Sequence, residues 1–190
     1  MKIYLATDHA GFQLKEDIKL FLEVNKDDLL IEMTKKGRVI QDIEIIDFGA
    51  YEYDESDDYP KYISMAAGAL SSDIYIGKDE NLAIIFGGSG QGEAMVADKY
   101  KGIRAGVINN ENIELVKLLR EHNNANILSF GARFISFDFA KEAVNTFLLT
   151  KFIDKENGEN SRHKRRVAEI EDFNQSEISL SKESLEELNS

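Results

Sequence analysis

Strand, tight glycine loop, helix is the arrangement that residues 82–99 impose, and it constrains the rest of the chain more than any other stretch. The apolar run 82–86 has the length and composition of a buried strand, and 93–99 reads as a helix. Between them stands Gly87-Gly88-Ser89-Gly90-Gln91-Gly92. Closely spaced glycines let backbone N–H groups approach a ligand without Cβ obstruction, and a helix N-terminus behind them favours negative charge. Such a loop suits a phosphate, or an oxyanion that develops during a reaction. Glu93, at its lip, stands where a general base is needed; it equally suits a plain turn followed by an acid in the first helical turn. Gly88, Gly90 and Gly92 give G-x-G-x-G, which lacks the spacing of the dinucleotide fingerprint, and no Lys-Ser or Lys-Thr follows as in a P-loop. A nucleotide fold is therefore not implied.

Strand-like runs at 2–6, 43–46, 82–86, 103–108 and 126–130 alternate with helical patterns at 12–24, 62–70, 93–99, 112–122 and 137–147. This alternation predicts an α/β fold, a mainly parallel sheet covered by helices on both faces. Ligands of such sheets bind beyond the carboxyl ends of the strands, which places the search near Thr7, Gly87 and Gly131. The pattern covers one domain over 1–166, with an insertion at 25–42 that has room for an extra hairpin. An acidic, Ser-rich extension at 167–190 reads as a surface helix or tail.

With 190 residues and 43% hydrophobic content the chain can bury a sizeable core. It has no cysteine, so disulfides, thiolate metal sites and thiol catalysis are excluded. No apolar run reaches the length of a membrane span and no signal peptide is evident, so the expected location is cytoplasmic. A net charge of -12 argues against nucleic acid as a partner.

The remaining chemistry rests on few residues. All three histidines, His9, His122 and His163, have polar neighbours. His9 lies in Asp8-His9-Ala10-Gly11, where Asp8 also fits a helix N-cap with His9 at the surface. His122 lies in Arg120-Glu121-His122-Asn123, where a cation near a helix C-terminus followed by a left-handed Asn is the structural alternative. His163 lies in Arg162-His163-Lys164-Arg165-Arg166, a basic island that also fits a solvated turn.

Together with Asp58-Tyr59-Pro60, Gly102-Ile103-Arg104-Ala105 and Gly131-Ala132-Arg133, these segments stand in the order and approximate spacing of one family. The chain resembles the type B ribose-5-phosphate isomerases, within the wider group that includes the galactose-6-phosphate isomerase subunits, over residues 1–24 and 43–167. The resemblance implies a Rossmann-like, doubly wound domain with a five-stranded sheet. It also implies a homodimer or tetramer whose active sites are shared between subunits. The implied reaction interconverts an aldose phosphate and a ketose phosphate through an enediolate, with no metal and no organic cofactor.

The family divides at the base, and the resemblance places this chain in one branch. Many members have a catalytic Cys at the position of Gly87; another subset has Gly there and uses a Glu matching Glu93. The resemblance then assigns catalysis to Glu93, Ser89 and His122, with His122 opening the cyclic sugar and His163 an alternative for that step. Substrate contacts fall to Asp8, His9, Tyr59, Gly88, Gly90, Gly92 and Asn123, and the phosphate to His9, Arg133, Arg162 and Arg166. Guanidinium forks match phosphate oxygens well. The insertion, the acidic extension and a longer 108–113 segment depart from the shorter members. The expected substrate is ribose 5-phosphate. Galactose 6-phosphate, allose 6-phosphate, a tetrose phosphate, or noncatalytic phosphosugar binding are the alternatives.

Overall fold

The computed structural model describes residues 1–156 and 159–173. Five parallel strands form the sheet in the order β2-β1-β3-β5-β4: β1 (Lys2–Thr7), β2 (Glu44–Asp47), β3 (Leu82–Gly87), β4 (Ala105–Ile108) and β5 (Ile127–Gly131). Alternate residues of each strand point to opposite faces, so one sheet feeds two cores. Ile3, Leu5, Ile84, Phe86, Leu128 and Phe130 pack beneath α1 (Phe12–Lys35), α4 (Ile113–Asn123) and α5 (Phe137–Leu149). Tyr4, Ala6, Ala83, Ile85 and Ile127 pack beneath α2 (Tyr59–Tyr75) and α3 (Gln91–Ala97). The α/β expectation is met.

The register sets up the site. Thr7 pairs with Phe86 and Gly87 with Gly131, so the carboxyl ends of β1, β3 and β5 lie side by side. Helix α2 starts earlier than its apolar pattern indicates, because Pro60 preorganises the first turn.

The hairpin expected within 25–42 is absent. Helix α1 continues through that segment to Lys35, carrying a buried stripe of Ile18, Leu22, Leu29 and Met33 across it, and ends before Gly37, whose φ of +69° suits glycine. The described hairpin lies elsewhere, β6 (Lys155–Glu156) with β7 (Glu159–Asn160). It leads into α6 (Arg162–Phe173), whose first turn is capped by the Ser161 hydroxyl accepting from the Lys164 N–H at 3.1 Å. The basic island is therefore helical, and α6 runs unbroken across position 167, where the acidic extension was expected to begin. The rest of that extension, 174–190, lies outside the described residues. No described helix is long and apolar enough to cross a membrane.

Candidate active site

Gly87 ends β3, and the chain turns through Gly88, Ser89 and Gly90 into α3. Gly90 has φ +76°, a left-handed conformation that glycine adopts without strain. The loop is clamped to the end of β5: the Ala132 N–H donates to the Gly87 carbonyl at 2.8 Å, and the Ser129 hydroxyl to the Gly90 carbonyl at 2.6 Å. A Cβ on Gly90 would stand 2.9 Å from the Phe130 carbonyl carbon. The strand, glycine loop and helix read from the sequence are present in that order, with Ser89 in the loop. Its hydroxyl is a weak acceptor for the Gln91 N–H at 3.4 Å.

Glu93 points back into the sheet end and is only 4% exposed. Its carboxylate fills the space beside Gly87, where an added Cβ would lie 1.8 Å from Oε1. Burial raises its pKa above the ordinary carboxylate value; the charge of Asp8 adds to the rise and the residue's own backbone N–H opposes it. A buried carboxylate whose pKa is raised, packed against a glycine loop, suits reversible proton transfer.

Three neighbours complete this end of the sheet. Asp8 is buried, and one of its carboxylate oxygens accepts from the Ala10 N–H at 2.9 Å, capping the turn at His9–Gly11. Arg133 lays its guanidinium against Gly88, with Cζ 3.0 Å from a Cβ built there. Tyr59 sets its hydroxyl against Gly92, 2.6 Å from the corresponding built Cβ. His9 stands beside them at the start of the same turn. Asp57, which the sequence reading did not single out, receives both the His9 backbone N–H at 2.8 Å and the His9 ring Nδ1 at 2.9 Å. Asp8, His9 and Asp57 bring ligand-type atoms within 4.8 Å of one another, and the close approach within this group is this carboxylate–imidazole hydrogen bond. The signal for Asp57 was its place in the acidic run before Tyr59-Pro60, but several acids share that run.

The other expected residues form a second cluster. His122 and Asn123 end α4, just before β5 begins; His122 stacks on the buried His163 of α6, ring centroids 4.0 Å apart and 6° from parallel. The Arg162 Nε approaches the His163 ring at 3.5 Å, and Arg166 lies one helical turn beyond Arg162. Because α4 returns to the amino end of β5, this cluster sits at the opposite end of the strands from Glu93. The two are separated by the length of a five-residue strand, about 16 Å. One chain does not bring the two groups together. The left-handed Asn expected after α4 is Asn124, with φ 46°.

Comparison with known proteins yields one consistent group. Residues 3–170 match the family model described as Ribose/Galactose Isomerase. A ribose-5-phosphate isomerase B of Mycolicibacterium paratuberculosis is 34% identical over 167 residues, 88% of this chain and 87% of that protein. The crystal structure of ribose-5-phosphate isomerase B from Mycoplasma genitalium with bound ribulose-5-phosphate superposes with a TM-score of 0.73 at 29% identity, covering 92% of this chain and 97% of that one. The ribose-5-phosphate isomerase B structure from Clostridium thermocellum gives 0.69 at 34% identity, covering 92% and 98%.

Proposed function

The chain belongs to the ribose/galactose isomerase family, and from that membership together with the carboxylate seated against Gly87 we infer an aldose–ketose isomerase that interconverts ribose 5-phosphate and ribulose 5-phosphate, with Glu93 as its general base. The observation that carries the reading of the base is the buried carboxyl of Glu93, proton-avid and open to the glycine cradle.

Glu93 takes the proton from C2 of the open-chain aldose, and the electron pair of that C–H bond becomes the C1–C2 double bond of an enediolate. Amides of 88–92 and the Ser89 hydroxyl donate to the enediolate oxygen, where negative charge develops. The proton of the C2 hydroxyl passes to O1 and Glu93 returns the carbon-derived proton to C1, leaving a C2 carbonyl and a C1 hydroxyl, so the two carbons exchange oxidation level with no external oxidant. Asp8 accepts from a sugar hydroxyl, Tyr59 and Gly92 border the sugar, and His9 and Arg133 hold the phosphate. His122 opens the ring by donating to the ring oxygen, with Asn123 beside it and His163 packed behind. Arg162 and Arg166 add guanidinium contacts to the phosphate. Since the His122 cluster lies at the far end of the strands of the same sheet, it serves the Glu93 site of a second copy of this chain. A metabolic role of this kind fits the cytoplasm.

The test is turnover of ribose 5-phosphate by purified wild type and Glu93→Gln, with a panel of six-carbon aldose phosphates alongside. The variant is expected to fold and to bind substrate but to lose isomerisation by about 100-fold or more. Near-wild-type turnover with chemistry rate-limiting removes Glu93 as the base. Faster turnover of a six-carbon substrate reassigns the substrate while leaving the base in place.

A further inference from the structure

We propose that Asp57 is a positioning residue for phosphate recognition: it locks the His9 side chain so that Nε2, and not Nδ1, faces the substrate. This rests on the isomerase reading above and adds to it a residue that touches no substrate atom.

The geometry is that of a double clamp. One carboxylate oxygen, Asp57 Oδ1, accepts from the His9 backbone N–H at 2.8 Å and from the ring Nδ1 at 2.9 Å. Sharing one acceptor between main chain and ring fixes both the position of the β1–α1 turn and the rotation of the imidazole. The Asp57 carbonyl stands 3.3 Å from the same Nδ1, which reinforces Nδ1 as the protonated, donating nitrogen. Tyr53 meets the imidazole edge-on, ring centroids 6.3 Å apart, and meets Phe12 in the same way at 6.4 Å. The ring is thus held by a hydrogen bond on one side and an aromatic wall on another, which leaves Nε2 as the nitrogen available to a ligand.

The clamp is built into the fold. Asp57 has a side chain only 6% exposed while that of His9 is 26% exposed, so the carboxylate is sheltered and the ring is the part that meets solvent. It joins two loops distant in sequence, 48 residues apart, at the sheet end that carries Gly88 and Arg133. An unconstrained imidazole has two rotamer-related faces and two tautomers. Fixing the rotamer in advance removes an ordering cost from phosphate binding. Acceptance of the Nδ1 proton by the carboxylate also raises the pKa of the ring, and in the cation that this favours, Nε2–H donates to a phosphate oxygen.

Three variants separate positioning from structure. Asp57→Ala removes the acceptor, Asp57→Asn keeps an oxygen in its place without charge, and His9→Ala removes the ring being positioned. Asp57→Ala is expected to raise both the KM for ribose 5-phosphate and the inhibition constant of inorganic phosphate by about tenfold, with kcat within about twofold. Asp57→Asn is expected to recover most of that loss, and Asp57→Ala in a His9→Ala background to add nothing further. Nitrogen-15 spectra of the imidazole, which need no turnover, are expected to show a proton on Nδ1 in wild type and its redistribution to Nε2 in Asp57→Ala. A folded Asp57→Ala with unchanged phosphate inhibition overturns the proposal, as does a wild-type spectrum with Nδ1 unprotonated, or additive losses in the double variant. Should Asp57→Ala fail to fold, Asp57→Asn and the wild-type spectrum still decide it. Absence of wild-type turnover would instead count against the isomerase reading, while the spectra, which need no turnover, still decide the clamp.

Discussion

Glu93 is stored at the active end of the sheet against its own preference. Its carboxyl is pushed up first by burial, then by the charge of Asp8, so ionising it in the folded protein is harder than in the unfolded chain. A raised carboxyl pKa lowers stability above the folded value and has no such effect once pH falls below the unfolded value, where both states are protonated. Glu93→Gln is therefore expected to melt higher than wild type at pH 7 to 8, with the difference shrinking toward pH 4 in a thermal-melt series. An equal or lower melting temperature at pH 8 would count against the strain. Gly87 is the counterpart of this arrangement, because any Cβ there collides with the Glu93 carboxylate rather than with backbone. Gly87→Ala should thus fold, the flexible carboxylate swinging aside, while kcat drops by about 100-fold from misplacement of the proposed base. By the same collision a side chain at 87 and an inward carboxylate at 93 exclude each other. Glu93 and its loop were legible because a local pattern carries them. Asp57 was not, since its role comes from a contact 48 residues away and nothing in an acidic run distinguishes the member that meets His9.

Elements were legible wherever an apolar period marked them, and lost where charge masked it. Asn25, Lys26, Asp27 and Asp28 interrupt the hydrophobic pattern of α1, yet neither Gly nor Pro breaks the helix, and Leu29 and Met33 resume its buried stripe. Helix α6 carries little apolar surface; its Ser161 cap, its Arg104–Glu171 ion pair and its packing on α4 are tertiary facts. Helix α1 also contributes a buried anchor that periodicity cannot show. Lys15 is fully buried and donates to both Asp47 carboxylate oxygens at 3.0 and 2.8 Å and to the Ala50 carbonyl at 2.6 Å, tying α1 to the end of β2 and to the segment that leads toward Asp57. Burial pushes the Asp47 carboxyl up, but hydrogen bonds from Lys15, Lys19 and the Gly49 N–H outweigh it and hold the group below its usual range. Lys15→Met leaves a buried carboxylate half-paired and is expected to lower stability by about 3 to 5 kcal/mol in urea titrations at pH 7. A depressed carboxyl contributes stability that is complete above the unfolded pKa and is lost as pH falls through the folded one. The gap between wild type and Lys15→Met should therefore narrow below about pH 4. A gap independent of pH would assign the loss to packing alone.

On the scale of the whole molecule, the proposed site residues divide between the two ends of the strands of one sheet. Glu93, Ser89, Asp8, His9 and Arg133 gather at the carboxyl ends of the strands, whereas His122, Asn123, His163, Arg162 and Arg166 gather beyond the amino end of β5. The motifs alone gave no such division, because order along a chain does not say which end of a strand a helix terminus reaches. A small sugar phosphate cannot span the roughly 16 Å of strand between the clusters, so the roles proposed for them, ring opening and proton transfer on one substrate, call for two copies of the chain. Exposed apolar side chains suit the proposed interface near Glu93: Met95 of α3 is 66% exposed on the surface it shares with Tyr59, Gly92 and Tyr100, and Met65 of α2 is 44% exposed. The proposed shared site, in a closed dimer of two-fold symmetry, would take its base from one subunit and its arginines from the other. A mixed dimer of Glu93→Gln with Arg166→Ala then contains one site that lacks both groups and one that lacks neither. Purified by two different affinity tags, that heterodimer is expected to recover about half the wild-type activity per dimer, although each parent homodimer is impaired at both sites. If base and arginine instead act within one subunit, every site of the mixed dimer carries one lesion, and its activity will fall between those of the two parents.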